Sequence, residues 1–201
     1  MNKVNLLQKF SLFDEHWKPK IVGDINDHLV KVVKFRGDFV WHSHEKEDEL
    51  FLVVKGRMTM GLRTGNVELA EGELFIVPKG TEHRPSADDE CWVVLLEPNT
   101  TLNTGDVNDH LVKVVKFRGD FVWHSHEKED ELFLVVRGRM TMGLRTGDVE
   151  LSEGELFIVP KGTEHRPSAD EECWVVLLEP NTTLNTGDVQ NERTVEKLDR
   201  I

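Results

Sequence analysis

Trp41-His42-Ser43-His44-Glu45-Lys46-Glu47-Asp48-Glu49-Leu50-Phe51-Leu52-Val53-Val54-Lys55-Gly56 decides the reading of this chain, and it returns at Trp123–Gly138 with Arg137 in place of Lys55. Two imidazoles at i and i+2 on a strand point to one face. Glu49 follows across the polar turn Glu45–Asp48 and opens an apolar run, as a hairpin partner would. A third imidazole stands in Pro78-Lys79-Gly80-Thr81-Glu82-His83. Neutral imidazoles and a carboxylate converging on one face make a divalent-metal site. The candidate ligands are His42, His44, Glu49 and His83, and in the copy His124, His126, Glu131 and His165. Glu47 and Asp48 are alternatives to Glu49, although the spacing to Gly56 favours Glu49.

The repetition extends far beyond this stretch. Residues 24–105 align without a gap on residues 106–187, an offset of 82, and only five positions differ: Ile25/Val107, Lys55/Arg137, Asn66/Asp148, Ala70/Ser152 and Asp89/Glu171. A period of this size exceeds that of solenoid repeats and suits a whole small domain. The chain therefore reads as a head and first strand (1–23), one barrel (24–105), a second barrel (106–187) and a tail (188–201). All five differences are mild, so both units should share one fold and one chemistry. Recent duplication and deliberate fusion both account for such near-identity.

Within a unit the signals are all β. Leu29–Phe35, Glu49–Val54, Met58–Leu62, Val67–Leu69, Leu74–Val77 and Cys91–Leu96 are short apolar or alternating runs separated by turns. Strands this short at this spacing indicate a sandwich or barrel. Helix is expected only around Leu6–Phe13 in the head and Thr194–Asp199 in the tail. A strand-like stretch, Lys18–Ile25, precedes the first unit, and Thr101–Val107 is expected to stand in for it before the second.

Composition bounds the function. The chain has 201 residues, 38% hydrophobic and 31% charged, a soluble globular balance. Two cysteines, Cys91 and Cys173, are too few for a disulfide framework. Their apolar strand contexts mark core residues rather than nucleophiles. The net charge of −12 opposes a nucleic-acid surface. The first residues lack a signal-peptide pattern and no apolar run reaches the roughly 20 residues of a membrane helix. The expectation is a cytoplasmic protein with no nucleic-acid or membrane partner.

The two motifs together resemble those of the cupin superfamily. The family's first motif, G-x5-H-x-H-x3,4-E-x6-G, meets Gly37, His42, His44, Glu49 and Gly56, with one residue fewer after the first glycine. Its second, G-x5-P-x-G-x2-H-x3-N, meets Gly72, Pro78, Gly80 and His83, with Ala87 where the asparagine would sit. The second unit matches identically at Gly119, His124, His126, Glu131, Gly138, Gly154, Pro160, Gly162 and His165. The segment Glu97–Asp106 is similar to the ending of small bacterial cupins named mannose-6-phosphate-isomerase-like. The resemblance implies an all-β chain of two tandem cupin barrels (double-stranded β-helix, or jelly roll). It implies one divalent transition metal per barrel: Mn, Fe, Ni, Co or Zn. Cupin barrels commonly dimerise, so an intrachain pseudo-dimer of barrels is expected, with a further homo-dimer open.

These features point to a metal-dependent enzyme on a small oxygenated molecule, of dioxygenase or isomerase type. The alternatives are a non-catalytic metal- or small-molecule-binding cupin and a barrel stabilised by a structural metal. Glu49 and Glu131 are the candidate bases, and no second acid or base is identifiable near the metal. The absence of Tyr argues against likeness to cupins that use a catalytic or crosslinked tyrosine. His28 and His110 are expected to be solvated turn residues. Trp41 should face away from the metal, whereas parity does not place Trp92. Arg57 and Arg84 are candidates for holding an anion, with a surface role favoured.

Overall fold

The computed structural model describes residues 2–98, 110–180, 182–189 and 194. The chain divides into two compact units, one of Asn5–Asn108 and the other of Met1–Val4 with Asp109–Ile201. The expected stand-in strand at 101–107 and all but the first residue of the expected tail helix lie outside the described residues.

The first unit begins with the head. Helix α1 (Leu6–Phe10) starts where the Asn5 side chain accepts from the N–H of Gln8 at 2.9 Å, a cap for an otherwise orphaned donor. Its apolar residues Leu6 and Phe10 are buried. The strands follow as β2 (Lys20–Ile25), β3 (His28–Asp38), β4 (Glu49–Lys55), β5 (Arg57–Leu62), β6 (Gly65–Ala70), β7 (Leu74–Val77) and β8 (His83–Pro98). They form one curled antiparallel sheet in the order β2-β3-β8-β4-β7, with β5 pairing β8 and β6. The second unit repeats the pattern with β9 (His110–Asp120), β10 (Glu131–Arg137), β11 (Arg139–Leu144), β12 (Val149–Ser152), β13 (Glu155–Val159) and β14 (His165–Pro180). Strand β1 (Val4–Asn5) adds to β13.

The long strand β8 organises the first barrel. Its later half pairs β3 on one side (Val33↔Val93) and β4 on the other (Val53↔Val93). Its first residues pair β5, with Leu62 opposite His83. The polar run His83–Glu90, interrupted by Pro85, shows no apolar alternation, and the sequence therefore points to a strand only from Cys91. The register shifts between Phe35 and Gly37, where β8 runs from Cys91 back to Ala87. At this bulge the Glu90 carbonyl lies 2.9 Å from where a Cβ on Gly56 would stand, and Gly56 has φ +87°. Both facts demand glycine there. They give the closing glycine of the first motif its physical reason.

Strand parity divides β3. Val33 and Phe35 point inward to a core with Phe51, Val53, Met58, Met60, Cys91 and Val93. The second barrel has the equivalent core around Phe133, Val135, Met140, Met142, Cys173 and Val175. The other face of β3 packs on the head, where Phe10 stacks on Trp92 with ring centroids 4.9 Å apart. Trp92 therefore lies outside the barrel. So does Trp41, which carries the Arg63 guanidinium 3.8 Å above its ring. No helix among the described residues is long and apolar enough to cross a membrane.

Candidate metal centres

His42-Ser43-His44 lies outside the regular ladder. It is held by a single antiparallel bridge, His42↔His83. The His42 N–H donates to the His83 carbonyl at 3.0 Å, and the His83 N–H donates back at 2.8 Å. This pair of bonds sets the two imidazoles side by side, with ring centroids 4.2 Å apart. The N–H of Gly80 donates to the His44 carbonyl at 2.7 Å and ties the second-motif turn to the first motif. Asp48 accepts from the Lys79 N–H at 2.8 Å and fixes the same turn, while Glu49 opens β4.

The four side chains converge. In the first barrel the ligand atoms of His42, His44, Glu49 and His83 all lie within 4.8 Å of one another, and the second barrel repeats this with His124, His126, Glu131 and His165. Glu49 Oε2 stands 3.3 Å from His44 Nε2 and 3.2 Å from His83 Nε2. Glu131 Oε2 stands 3.3 Å from His126 Nε2 and 3.2 Å from His165 Nε2. His83 Nε2, Glu49 Oε2 and His126 Nε2 are nevertheless buried without a well-aligned hydrogen bond. The corresponding pair in the second barrel, His165 Nε2 and Glu131 Oε2, is hydrogen-bonded at 3.2 Å, and buried polar atoms are otherwise paired.

Backbone carbonyls set the tautomers. Val40 O lies 3.0 Å from His42 Nδ1, and Thr81 O lies 2.9 Å from His83 Nδ1. A carbonyl only accepts, so Nδ1 carries the proton and the Nε2 lone pair faces the cluster. Val122 O and Thr163 O do the same for His124 and His165 at 3.0 and 2.9 Å.

The electrostatics follow from crowding. Burial opposes a charge on Glu49, but the imidazoles of His44 and His83 outweigh it and hold the carboxyl down to about 2. Glu131 is likewise held at about 2 by His126 and His165 against its burial. Glu49 in turn raises His44. Burial is the largest effect on His126 and lowers it, but the attraction of Glu131 outweighs this and the net shift is upward. Burial, aided by His83, lowers His42, and burial with His165 lowers His124 to about 4.

Residues 182–189 pack on the second centre. Asp188 accepts from the Ser125 N–H at 2.8 Å, and its own N–H donates to Ser125 O at 3.1 Å. A Cβ on Gly187 would meet Ser125 O at 2.1 Å and His124 Cδ2 at 3.3 Å. This strap crosses the His124-Ser125-His126 segment, and all four side chains of that centre are buried. His42 and His44 in the first barrel are only half-buried. The repeated Asn-Thr-Gly-Asp-Val was legible as a join between units, but its contact with Ser125 was not.

A second carboxylate also escaped the sequence reading. Glu97 and Glu179 close β8 and β14, Glu97 pairing Lys31 at 2.6 Å and Glu179 pairing Lys113. Burial, and then the charge of Glu131, push the Glu179 carboxyl up to about 7 against the pull of Lys113. The β3–β8 register sets Glu97 opposite Leu29 and Lys31 opposite Leu95, so the ion pair runs diagonally between the strands, a relation that only the strand pairing reveals.

Other residues fall away from the centres. His28 is fully buried beside Asp27 at 2.8 Å, which corrects its expected place in a solvated turn: the turn lies at Asn26-Asp27, and β3 already begins at His28. Arg84 lies over Trp41 and 3.6 Å from Asp38, and Arg57 is exposed at the start of β5. Cys91 is buried, and its burial pushes the thiol up to about 12.

The sequence of each barrel matches the cupin domain family model, at residues 29–97 and 111–179. The chain belongs to the cupin domain family. Among curated proteins, the uncharacterised protein YdbB of Bacillus subtilis (strain 168) is 34% identical over 71 residues. That alignment covers 35% of this chain and 63% of YdbB, so the chain spans less than two thirds of that relative's length. Among solved structures, the cupin 2 conserved barrel domain protein from Leptotrichia buccalis superposes with a TM-score of 0.67 at 11% identity, covering 89% of this chain and 95% of that one. A salicylate 1,2-dioxygenase from Pseudaminobacter salicylatoxidans superposes with a TM-score of 0.59 at 10% identity, covering 78% and 71%. At these identities the likeness is one of fold.

Proposed function

We propose that each barrel of this cupin holds one divalent transition metal (Mn, Fe, Ni, Co or Zn) through His42, His44, Glu49 and His83, and through His124, His126, Glu131 and His165. We propose further that the protein is a metal-dependent enzyme of dioxygenase or isomerase type acting on a small oxygenated molecule. One observation carries this reading: in both barrels the ligand atoms of three imidazoles and one carboxylate lie within 4.8 Å of one another. Three imidazoles and a carboxylate leave two positions of an octahedral metal for substrate or water, and such a metal supplies Lewis-acid or oxygen chemistry.

The chain's own residues define what enters. Phe39 stands edge-on to His42 with centroids 5.3 Å apart, and Phe121 stands likewise at 5.5 Å from His124. These rings give each centre an apolar flank. Glu49 and Glu131 are the candidate bases, and each would have to leave the metal to accept a proton from substrate. Half-buried His42 and His44 leave the first centre the more accessible one. The dioxygenase neighbour supports oxygenase chemistry only to the extent that its fold is the same.

Elemental analysis with a turnover screen tests the proposal. The expected result is metal in the purified chain, with turnover lost on chelation and in the His42→Ala/His124→Ala double variant. A metal-free chain overturns it. The strap over Ser125 favours a second reading for the second barrel, a closed site whose metal only stabilises the fold. Under that reading chelation lowers Tm while His124→Ala leaves turnover unchanged.

A further inference from the structure

The two barrels share one outer face but not its cover. In the first barrel, Val30, Val32, Lys34 and Trp92 form a patch on β3 and β8, with Val30 and Val32 1% and 0% exposed. The head covers this patch. Leu6, Phe10 and Phe13 recur at i, i+4 and i+7, and all three are buried. Phe10 stacks on Trp92, and Lys34 Nζ lies 5.4 Å from the Phe13 ring and 5.2 Å from Trp92. Charges complete the seat. Asp14 approaches Lys34 at 3.7 Å, and His16 pairs Glu90 at 3.0 Å.

The second barrel presents the same patch on β9 and β14 as Val112, Val114, Lys116 and Trp174. Its polar frame is already in place. Trp174 Nε1 donates to Glu172 at 2.7 Å, as Trp92 Nε1 donates to Glu90 at 2.8 Å. Lys116 lies 4.7 Å from the Trp174 centroid and 3.8 Å from Glu172. Yet Val114 is 62% exposed where Val32 is 0%, and the Lys116 side chain is 63% exposed where Lys34 is 5%. Among the described residues, residues 6–16 seat on the first of these two patches and no equivalent segment seats on the second.

We propose that the β9–β14 outer face is a docking site for an amphipathic segment carried by another protein, with the chemistry of residues 5–17. The segment has large apolar side chains at i, i+4 and i+7, then an acidic residue for Lys116 and a histidine for Glu172. The first barrel displays this complement seated on identical residues. Leu6 and Phe10 come from one turn of helix and Phe13 from the chain just after it, so the segment is recognised by large apolar anchors fixed by flanking charge. A second copy's own head is not the occupant, because lifting it uncovers an equal patch on its first barrel.

The test uses the full chain and a labelled synthetic peptide of residues 2–19. Titration should give one peptide bound per chain. The Phe10→Asp peptide should bind at least tenfold more weakly. Lys116→Glu, at an exposed side chain that leaves the fold intact, should weaken the parent peptide, and an Asp14→Lys peptide should recover part of the loss on that variant. Val114→Glu should abolish binding while circular dichroism stays native. The proposal is overturned by no binding at millimolar peptide, by binding that ignores both substitutions, or by a chain dimer that Val114→Glu dissociates. That last outcome assigns the face to a second copy.

Discussion

His42 and His83 exchange two main-chain hydrogen bonds, at 3.0 and 2.8 Å, although His42 stands outside the ladders and His83 only opens β8. The bridge places ligands from two motifs some forty residues apart side by side, and the second barrel repeats it between His124 and His165. The centre therefore depends on backbone as much as on side chains. His83→Ala should release the metal of the first barrel while the second keeps its own. Elemental analysis should fall from two metals per chain to one, and the His83→Ala/His165→Ala double variant should hold none.

Metal binding should strengthen with pH. His44 and His126 are raised above their ordinary value by Glu49 and Glu131, so each holds its proton to higher pH in the apo chain. A metal must displace those protons, and affinity therefore rises as pH climbs through the imidazole range. Competition against a chromophoric chelator at pH 5.5 and 7.5 should show the tighter binding at 7.5.

Apo stability should fall in acid. The folded carboxyls of Glu49 and Glu131 are held at about 2, below the ordinary 4.5. A depressed carboxyl stabilises the fold above its unfolded pKa, and that contribution is lost as pH falls from about 4.5 towards 2. Glu49→Gln/Glu131→Gln should flatten this dependence. Urea midpoints of the apo chain between pH 5 and 3 measure it.

Gly56→Ala should destabilise the first barrel by about 1–3 kcal/mol, because its φ of +87° and the Glu90 carbonyl at 2.9 Å both act against a Cβ. Gly72→Ala has φ +83° but open space around it, so only the backbone strain of about 1–2 kcal/mol remains, less than at Gly56. Denaturant unfolding of the two variants ranks them.

Phe10→Ala should weaken the first barrel alone. Phe10 is fully buried on Trp92, and such truncations cost about 3–5 kcal/mol. The expected signature is a thermal transition split in two, with the earlier step assigned by the part of the fluorescence change that Trp92→Phe removes.

The sequence by itself determined the all-β class, the duplication and the identity of the eight converging side chains. Alternation, turn residues and an 82-residue offset are local or self-referential signals, and each survives without coordinates. Tertiary structure decided what depends on register and on unequal surroundings. Glu179 beside Glu131 follows from strand pairing, and the strap from Asp188 to Ser125 joins residues 63 apart. The contrast between Val32 and Val114 was least legible of all. The two residues occupy identical sequence, yet Val32 is 0% and Val114 62% exposed, and Val32 has β2 paired beside it and the head packed on its face of the barrel. A repeat read from sequence predicts equivalent interiors. What meets each exterior is set by the unrepeated residues around it.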